Sequence, residues 1–499
     1  MTRVALRADA DLHIGAGHVM RCLALAEALR ERGANVQLVS GRLSPRVLGL
    51  FRDVGAGVVE CTSAWPDPRD PEATAAATYG SPGERWVVVD GYHFDAEYVR
   101  RLKACVRVAW IDDLNAIGMY DCDLVVNPNL GAERCTYQTG ESTRVLTGAA
   151  YALVRRAFPS ARRDRVPGRT RQLVITLGGA DPKRLTARVV NAVLAAGLHD
   201  SRITVAVGPL NRSVAEMRLA VAGAPNVRVV QDPPDWPSLL ARADLVITAA
   251  GSTAWEVAAL GVPSILLMVA DNQLRGALAM QEAKAAEVVR ACEPVDLTEL
   301  TDCVRRLWRD QERRLVMGDR ARRLIDGRGA ERIASWMLEE ISEGAPLIRS
   351  VTRSDALQVW RINNEPSVRA QSFDPTPIPL DKHFDWFDER IESQFCRMYA
   401  LAWGHDLVAL VRYDRVGEKS HAELSFAVAS QCRRLGLGTR VLADSWRIAC
   451  DELQVPAVRG VVIDGNVASI GTFWRAGFME AGTELRAGRV CRVFERRLL

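Results

Sequence analysis

Eleven cysteines are scattered along 499 residues without a single CxxC pair, and their number is odd. That pattern argues against a zinc ribbon or a disulfide framework; a reduced, cytoplasmic chain is the simplest reading. Long apolar runs are missing as well: none approaches the ~18 residues needed to cross a bilayer. The opening "MTRVALRADADLH" carries charge too early for a secretory signal, so neither leader nor membrane span is expected. An excess of one charge is also lacking. With 65 Lys and Arg against 61 Asp and Glu, the net charge is only +4. Basic residues interleave with acidic ones, which leaves no footprint for nucleic acid or a membrane surface. The densest basic run, "RRAFPSARRDR" at 155–165, reads as a solvated loop. No short repeat or low-complexity tract occurs.

What remains is an ordinary globular composition, 48% apolar and 25% charged. The length suggests about three structural units. Up to about residue 340, apolar β-rich runs alternate with helical stretches. "RVALRAD", "NVQLVS", "RWVVVDG", "RVAWIDD" and "DLVVNPN" come first; "QLVITLGG", "RITVAVG", "NVRVVQ", "ADLVITAAG" and "PSILLMVA" restart the series. Continuous Val/Ile/Leu runs suit strands buried on both faces, and strand–helix alternation implies a parallel sheet. The expected fold class is therefore α/β: two doubly wound Rossmann-like lobes, residues 1–165 and 166–343, with ligands in the cleft beyond the strands' carboxyl ends. After the stop at "EEISEGAP", residues 347–499 change pattern. Strand and helix are followed by a meander, "MYALAWG", "DLVALVRYD" and "AELSFAVAS", then helices and two more strands, a separate α+β domain.

Gly15 and Gly17 lie between the first strand and a helix, where glycine permits tight turning and close approach to a ligand. His18 falls in the helix's first turn, with Arg21 on the same face. An imidazole there can accept a proton near neutrality, and the helix dipole favours its neutral form; the alternative is a structural turn with an incidental histidine. "GGADP" presents Gly178 and Gly179 after the first strand of the second lobe, a loop able to receive phosphate oxygens. "AAGSTAWEVAALG" presents Gly251, Ser252 and Thr253 before a helix, with Glu256 expected in its first turn, either binding a ribose diol or serving the dipole. "DNQ" ends a strand with Asn272 and Gln273. In the first lobe, Asp90, Tyr92 and His93 end one strand, and Asp112 and Asp113 end the next; these face a site or serve turns.

Taken together, "RADADLHIGAGHVMRCLALA", "WIDDL", "DLVVNPN", "LGGADP" and "AAGSTAWEVAALGVPSILLMVADNQ" resemble the UDP-sugar hydrolase family of pseudaminic acid biosynthesis. The resemblance implies a GT-B fold, related to the peptidoglycan UDP-N-acetylglucosamine transferase, and hydrolysis of UDP-2,4-diacetamido-2,4,6-trideoxy-β-L-altropyranose with inversion. It implies that His18 positions or deprotonates water, Glu256 holds the uridine ribose, and Gly178, Gly179, Ser252 and Thr253 bind diphosphate. Asp90 and Tyr92 would lie on the sugar side. No metal is expected.

"QCRRLGLGTRVLADSW" carries Arg433, Gly436 and Gly438 between a strand and a helix, and "IDGNVASIGTFWRAGF" carries Asn466 and Ser469. These resemble the two signatures of GNAT N-acetyltransferases. The resemblance implies acetyl-CoA as co-substrate, bound by Val428, Arg433, Arg434, Gly436, Gly438, Thr439, Asn466 and Ser469. "WRINNEPSVRAQSF" and "LDKHFDWFDERI" resemble the subgroup acting on ribosomal-protein termini and sugar amines. Many members carry a tyrosine seven residues after the asparagine as acid to the departing thiolate; here Phe473 has no proton to give. Glu423 and Ser425 are candidates to lead the proton off the amine, and Asn363, Arg369 and His383 to contact substrate. Trp360, Trp386 and Phe387 read as core. Consecutive acetylation and hydrolysis of a UDP-sugar would explain one chain with both units, a monomer or weak oligomer acting on small molecules. The competing expectation is a GT-B glycosyltransferase for an amino sugar, with a non-catalytic acetyl-CoA-sensing GNAT domain.

Overall fold

The computed structural model describes residues 1–10, 16–41, 43–80, 83–115, 117–163, 171–178, 181, 183–208, 211, 214–291, 297–338, 345–404, 406–417 and 420–498. It divides into two compact units, Met1–Glu339 and Glu340–Leu499. The stretch 164–170, in the expected seam between lobes, lies outside the described residues, as does most of "EEISEGAP".

The first unit contains two all-parallel sheets. In the first, β1 (Arg3–Ala8), β2 (Asn35–Ser40), β3 (Gly57–Glu60), β4 (Arg85–Asp90), β5 (Arg107–Ile111), β6 (Leu124–Asn127) and β7 (Arg144–Thr147) stand in the order β3-β2-β1-β4-β5-β6-β7. In the second, β8 (Gln172–Thr176), β9 (Arg202–Val207), β10 (Val227–Gln231), β11 (Leu245–Ala249), β12 (Ser264–Met268) and β13 (Glu287–Arg290) stand in the order β10-β9-β8-β11-β12-β13. Helices cover both faces, so the central strands are buried on both sides, as their unbroken apolar runs require. The short strands β3, β7 and β13, at or next to sheet edges, carry too little apolar run to be read from sequence.

Strand order reverses between β1 and β4, and again between β8 and β11. Crossover helices leave these neighbours in opposite directions, which opens a crevice at the strands' carboxyl ends. The residues that follow β1 and end β4 therefore meet at one crevice, and those that follow β8 and β11 at the other. The helix Gly329–Met337 follows the second sheet in sequence, yet Ala330, Ile333, Ala334 and Met337 pack into the core of the first, against the helix Gly17–Glu31.

The second unit is a seven-stranded sheet. Its strands are β14 (Leu347–Ser350), β15 (Cys396–Trp403), β16 (Asp406–Val416), β17 (His421–Val428), β18 (Ala457–Ile463), β19 (Met479–Arg486) and β20 (Arg489–Arg497), ordered β14-β15-β16-β17-β18-β20-β19. Only β17 and β18 pair in parallel. The helix Leu437–Leu453 packs on β15–β17 through Val441, Leu442, Trp446 and Ala449. Edge strand β19 is largely exposed and lacks the alternating apolar face that would mark it in the sequence. Among the described residues, no helix is long and apolar enough to cross a membrane.

Gly329 opens the helix that crosses back to the first sheet. A Cβ there would lie 2.3 Å from the Ala152 carbonyl oxygen and 2.4 Å from the Tyr151 carbonyl carbon. Backbone cannot yield as a side chain does, so Gly329→Ala should cost about 1–3 kcal/mol. Thermal unfolding of the full chain should show a lowered Tm for the first unit's transition.

Candidate active sites

His18 sits one residue into the helix Gly17–Glu31, whose N-terminus no side chain caps. Its ring is nearly buried, 6% exposed. Nδ1 lies 2.6 Å from Oδ1 of Asp90, the last residue of β4. The Arg21 guanidinium, one turn along, grips both oxygens of Asp90 at 2.5 Å and both of Asp113 at 2.8 and 2.9 Å. Arg21 Nη2 also approaches His18 Nδ1 at 3.0 Å. Nδ1 cannot accept from Arg21 while donating to a carboxylate. The ionised acceptor makes the stronger bond, so in the neutral ring Nδ1 carries the proton and Nε2 the lone pair. Burial alone would raise the Asp90 pKa, but Arg21 and His18 outweigh it and hold the carboxyl below its ordinary range.

Asp113 is a second hub. It accepts from Tyr92 Oη at 3.0 Å and from Asn129 Nδ2 at 2.8 Å. Tyr92 Oη in turn accepts from Asn272 Nδ2 at 3.1 Å, and Asn129 Oδ1 from Trp255 Nε1 at 3.3 Å. Asn272 and Trp255 belong to the second lobe, so the chain of bonds from His18 runs across the cleft. Tyr92 also meets the His18 ring edge-on at 4.7 Å. Asn129 and Trp255 were not singled out in the sequence; their signal was present in "VVNPN" and "STAWE", but a polar strand end and a helical Trp are common. Asp112 takes a different role: it accepts from Tyr120 Oη at 2.5 Å and from the backbone of Leu114 and Asn115, closing a turn. His93 turns away too, toward Asp9 at 3.2 Å.

Opposite His18 stands the helix Ser252–Leu260. A Cβ on Gly17 would lie 3.6 Å from Ser252 Oγ, which measures how closely the two helix N-termini approach. Gly251 is the N-cap, and it has no side chain to close the end. Two uncapped N-termini thus face one another, each with unpaired N–H groups and a positive dipole end. Gln273 borders Gly251 at 3.9 Å from a Cβ placed there, and its Oε1 accepts from Val269 N at 3.0 Å. Thr253 follows in the helix's first turn. Gly178 has φ +90°, left-handed backbone that favours glycine, and a Cβ there would meet nothing. Gly15 and Gly179 lie outside the described residues.

Glu256 is not in the first turn as expected. It lies one turn in, beyond the reach of the unpaired N–H groups, so a dipole-capping role does not fit. Its carboxylate accepts from Trp236 Nε1 at 3.3 Å, and burial pushes its pKa up to about 7.

In the second unit, β17 and β18 pair only at Ala422–Leu424 with Val458–Gly460 and then diverge. The gap opens a groove of about 1310 Å³. Val428, Arg433, Arg434, Gly436, Gly438 and Thr439 line one part of it, with Asn466 and Ser469 nearby. Gly436, at φ +75°, is the N-cap of the helix Leu437–Leu453. A Cβ on Gly438 would already press Phe426, Thr472 and Val428 at 3.3–3.4 Å. A glycine loop of this kind can wrap an anion with its N–H groups, and the strands beside it part.

Several expected roles change. Glu423 is not a free base: Arg486 Nη2 donates to it at 2.8 Å and Nη1 closes a second contact, which keeps it ionised and its pKa lowered. Ser425 stands exposed in the groove. Arg433 is partnered by Glu365 at 3.2 Å. Asn466 caps the helix Val467–Arg475 by accepting from Ser469 N at 3.1 Å, leaving Nδ2 for a ligand. Phe473 is core, 2% exposed, stacked on Phe494 at 5.0 Å over Gly460. His383 donates Nε2–H to the Ala356 carbonyl at 2.8 Å, and burial lowers its pKa to about 4. Arg369 bonds the Thr376 carbonyl at 3.0 Å and that of Asp374. Asn363 lines the groove. Trp360 and Phe387 are core, but Trp386 is half-buried and lines the groove. Among the described residues, no group of three or more His, Cys, Asp or Glu could hold a metal ion.

Residues 173–333 match the Glycosyltransferase family 28 C-terminal domain, and residues 347–479 the Acetyltransferase (GNAT) domain. The chain is 25% identical over 252 residues to the spore coat polysaccharide biosynthesis protein SpsG of Bacillus subtilis, covering 50% of this chain and 74% of that one. It is 35% identical over 188 residues to the UDP-N-acetylglucosamine–N-acetylmuramyl-(pentapeptide) pyrophosphoryl-undecaprenol N-acetylglucosamine transferase of Xanthomonas oryzae pv. oryzae, covering 36% of this chain and 42% of that one. An uncharacterized protein of Methanocaldococcus jannaschii is 23% identical over 276 residues, 53% of this chain and 55% of that one. The chain thus spans about half of the archaeal relative's length. The crystal structure of Acinetobacter baumannii MurG aligns at 15% identity and TM-score 0.44, covering 68% of this chain and 100% of that one. The fold class is α/β, with paired Rossmann-like lobes of GT-B type followed by a GNAT-type domain.

A carboxyl with a pKa of about 7 gives the first unit a pH signature. If Glu256 accepts from ribose hydroxyls, its ionised form binds better, so UDP affinity should rise as pH increases through about 7. Folding responds in the opposite sense. The folded pKa is raised, so the stabilisation is full below the ordinary value of 4.5 and is lost as pH rises through about 7. Glu256→Gln should flatten both slopes, read by calorimetric titration and by melting between pH 5 and 8. A UDP affinity that falls with pH in the wild type would rule out the carboxylate as the acceptor.

Proposed function

We propose that the first unit hydrolyses UDP-2,4-diacetamido-2,4,6-trideoxy-β-L-altropyranose to UDP and the free sugar. The second unit acetylates the 4-amino UDP-sugar precursor with acetyl-CoA, so the chain performs both steps in nonulosonic acid biosynthesis. The observation that carries the first half is the His18–Asp90 bond at a helix N-terminus that faces the N-terminus of Ser252–Leu260. Family 28 membership of residues 173–333, and a relative that transfers N-acetylglucosamine from a UDP-sugar, support a uridine nucleotide in the cleft. SpsG, by its name, supports a role in building polysaccharide precursors.

In this reading, water sits at Nε2 of His18. Nε2 takes its proton as the oxygen attacks the anomeric carbon, and the bond from that carbon to the β-phosphate oxygen breaks. Attack from the face opposite the leaving group inverts configuration. Asp90 stabilises the imidazolium and has held the ring in the right tautomer beforehand, while Arg21 keeps Asp90 ionised. Charge growing on the leaving diphosphate meets preorganised N–H groups of both helices, with Ser252, Thr253 and Gly178 beside them. Tyr92, Asn272 and Asp113 face the sugar, and Glu256 the ribose.

In the second unit, acetyl-CoA supplies a thioester carbonyl when bound. The loop at Gly436 and Gly438 holds its pyrophosphate, and Ser425 and Asn466 border the path of its arm. The amine forms the new C–N bond and the C–S bond breaks; water in the groove passes the proton that the amine loses to the departing thiolate, since Phe473 has none to give. A second reading rests on the same buried Phe473: a GNAT domain that binds acetyl-CoA and reports it without turnover, beside a glycosyltransferase that uses an acceptor in place of water.

Products from acetyl-CoA plus the 4-amino UDP-sugar, followed by mass spectrometry without any added acceptor, separate these. Wild type should yield thiol, UDP and free diacetamido sugar. His18→Ala should lose about 10²–10⁴-fold in UDP release and accumulate the acetylated UDP-sugar. Free sugar from the variant at the wild-type rate would refute the role of His18. Absence of UDP release from wild type would favour the glycosyltransferase, and absence of thiol with retained CoA binding the sensor.

A further inference from the structure

The groove of the second unit has two ends of different chemistry. Toward the glycine loop lie Arg433 and Arg434. The other end is walled by the helix Leu380–Glu392 and by one face of β16 and β17, where Arg412 stands directly opposite Ser425, and Asp414 opposite Glu423. Of the described carboxylates, Glu423 alone lines the groove, and Arg486 neutralises it. The cations are not so balanced. Lys382 is exposed and makes no hydrogen bond or ion pair with the described residues. Arg412 spends Nε on Asp414 at 2.6 Å, a carboxylate it shares with Arg390 at 3.5 Å, and both of its Nη groups are left over. Its guanidinium lies 5.2 Å over the Trp386 ring. Lys382 and Trp386 are four residues apart on one helix, hence on the same face. Two cations and an aromatic ring thus line the groove together with Ser425.

We infer that Lys382 and Arg412 form a phosphate-recognising subsite for the acetyl acceptor, with Trp386 fixing the Arg412 fork. The acceptor is an amine carried on a nucleoside diphosphate. A polyamine, an aminoglycoside or a free peptide amine is itself cationic and calls for unpaired carboxylates lining the groove, whereas Glu423, the one described carboxylate that lines it, is already held by Arg486; Lys382 and Arg412 would repel such an acceptor instead. A guanidinium fork and a lysine ammonium together match phosphate oxygens. The inference deepens the acetyltransferase reading above and rests on it for the sugar. It adds that the nucleotide is the handle, so that a sugar stripped of it is a poor acceptor.

The full chain, assayed by thiol release, is offered the 4-amino UDP-sugar, the same free 4-amino sugar, and spermidine. The free sugar and spermidine should fall at least about 100-fold below the UDP-linked acceptor in kcat/KM. Lys382→Ala and Arg412→Gln should each raise the KM for the UDP-linked acceptor about tenfold, as expected for one charge-assisted contact. The kcat and the KM for acetyl-CoA should stay within about twofold. Lys382 is exposed, so its loss leaves the fold intact. Calorimetry with UDP in the presence of CoA reads the subsite without turnover: two equivalents for wild type, one for the double variant. The inference falls if the free sugar or spermidine serves as well as the UDP-sugar, if the variants raise the KM for acetyl-CoA instead, or if wild type binds one UDP. Equal use of the free sugar would sink the handle but keep sugar acetylation. Two UDP equivalents with no thiol from any amine would keep the handle and sink the acetyltransferase.

Discussion

A fully buried carboxylate governs the first unit. Asp90 is 0% exposed, at the carboxyl end of β4. A charge there is tolerable only if it is paired and hydrogen-bonded. Arg21 satisfies both of its oxygens, and His18 takes one of them again. The pairing has a chemical consequence. Because Nδ1 is committed to the carboxylate, the other ring nitrogen is the basic one. Arg21 in turn needs a second acceptor for its remaining nitrogen, and Asp113 provides it. Asp113 then collects Tyr92 and Asn129, and these reach Asn272 and Trp255 on the second lobe. The group that fixes the tautomer therefore also helps register the two lobes about the cleft.

The placement follows from topology. His18 and Asp90 come from segments after β1 and at the end of β4, the neighbours between which strand order reverses. Gly178 and Ser252 stand in the same relation to β8 and β11. Each lobe thus brings a loop and a helix N-terminus to its crevice. The two helix ends stand close: a Cβ placed on Gly17 would reach ordinary van der Waals contact with Ser252 Oγ, at 3.6 Å. The helix Gly329–Met337 binds the lobes from behind by lending its apolar face to the first core.

Much of this was legible in the sequence. Buried central strands announce themselves because a sheet covered on both faces needs continuous Val/Ile/Leu, and the switch-point loops are marked by glycine. The edge strands β3, β7, β13 and β19 were not, because an edge need be apolar on one side at most, and Gly57–Glu60 and Met479–Arg486 are mainly exposed. Roles were harder than positions. Asp112 and Asp113 are adjacent and chemically identical, yet one closes a turn on Tyr120 while the other holds Arg21; only the alternation of the backbone decides which. Glu423 looked like a base because its partner, Arg486, lies 63 residues away. Asn466 looked like a ligand residue and is also a helix cap, since both tasks need an amide oxygen or N–H at a helix start. The apolar ring of Trp386 reads as core, while the cation stacked upon it comes from β16, distant in sequence.

The two units, on the proposed reading, handle the diphosphate of the sugar nucleotide in physically different ways, and the difference tracks what that diphosphate does. In the first, the diphosphate is the leaving group, and its charge rises as the bond breaks. Backbone N–H groups at two rigid helix ends suit that task, because they are oriented before the reaction and need no rearrangement during it. In the second, the phosphate is a spectator that identifies the substrate and changes no charge. A flexible ammonium and a stacked guanidinium suit that task, since they tolerate some play in the ligand and add attraction where precise aim matters less. Helix ends at the nucleotide cleft and side-chain cations at the acceptor wall are thus the same electrostatic requirement met under two different demands for rigidity.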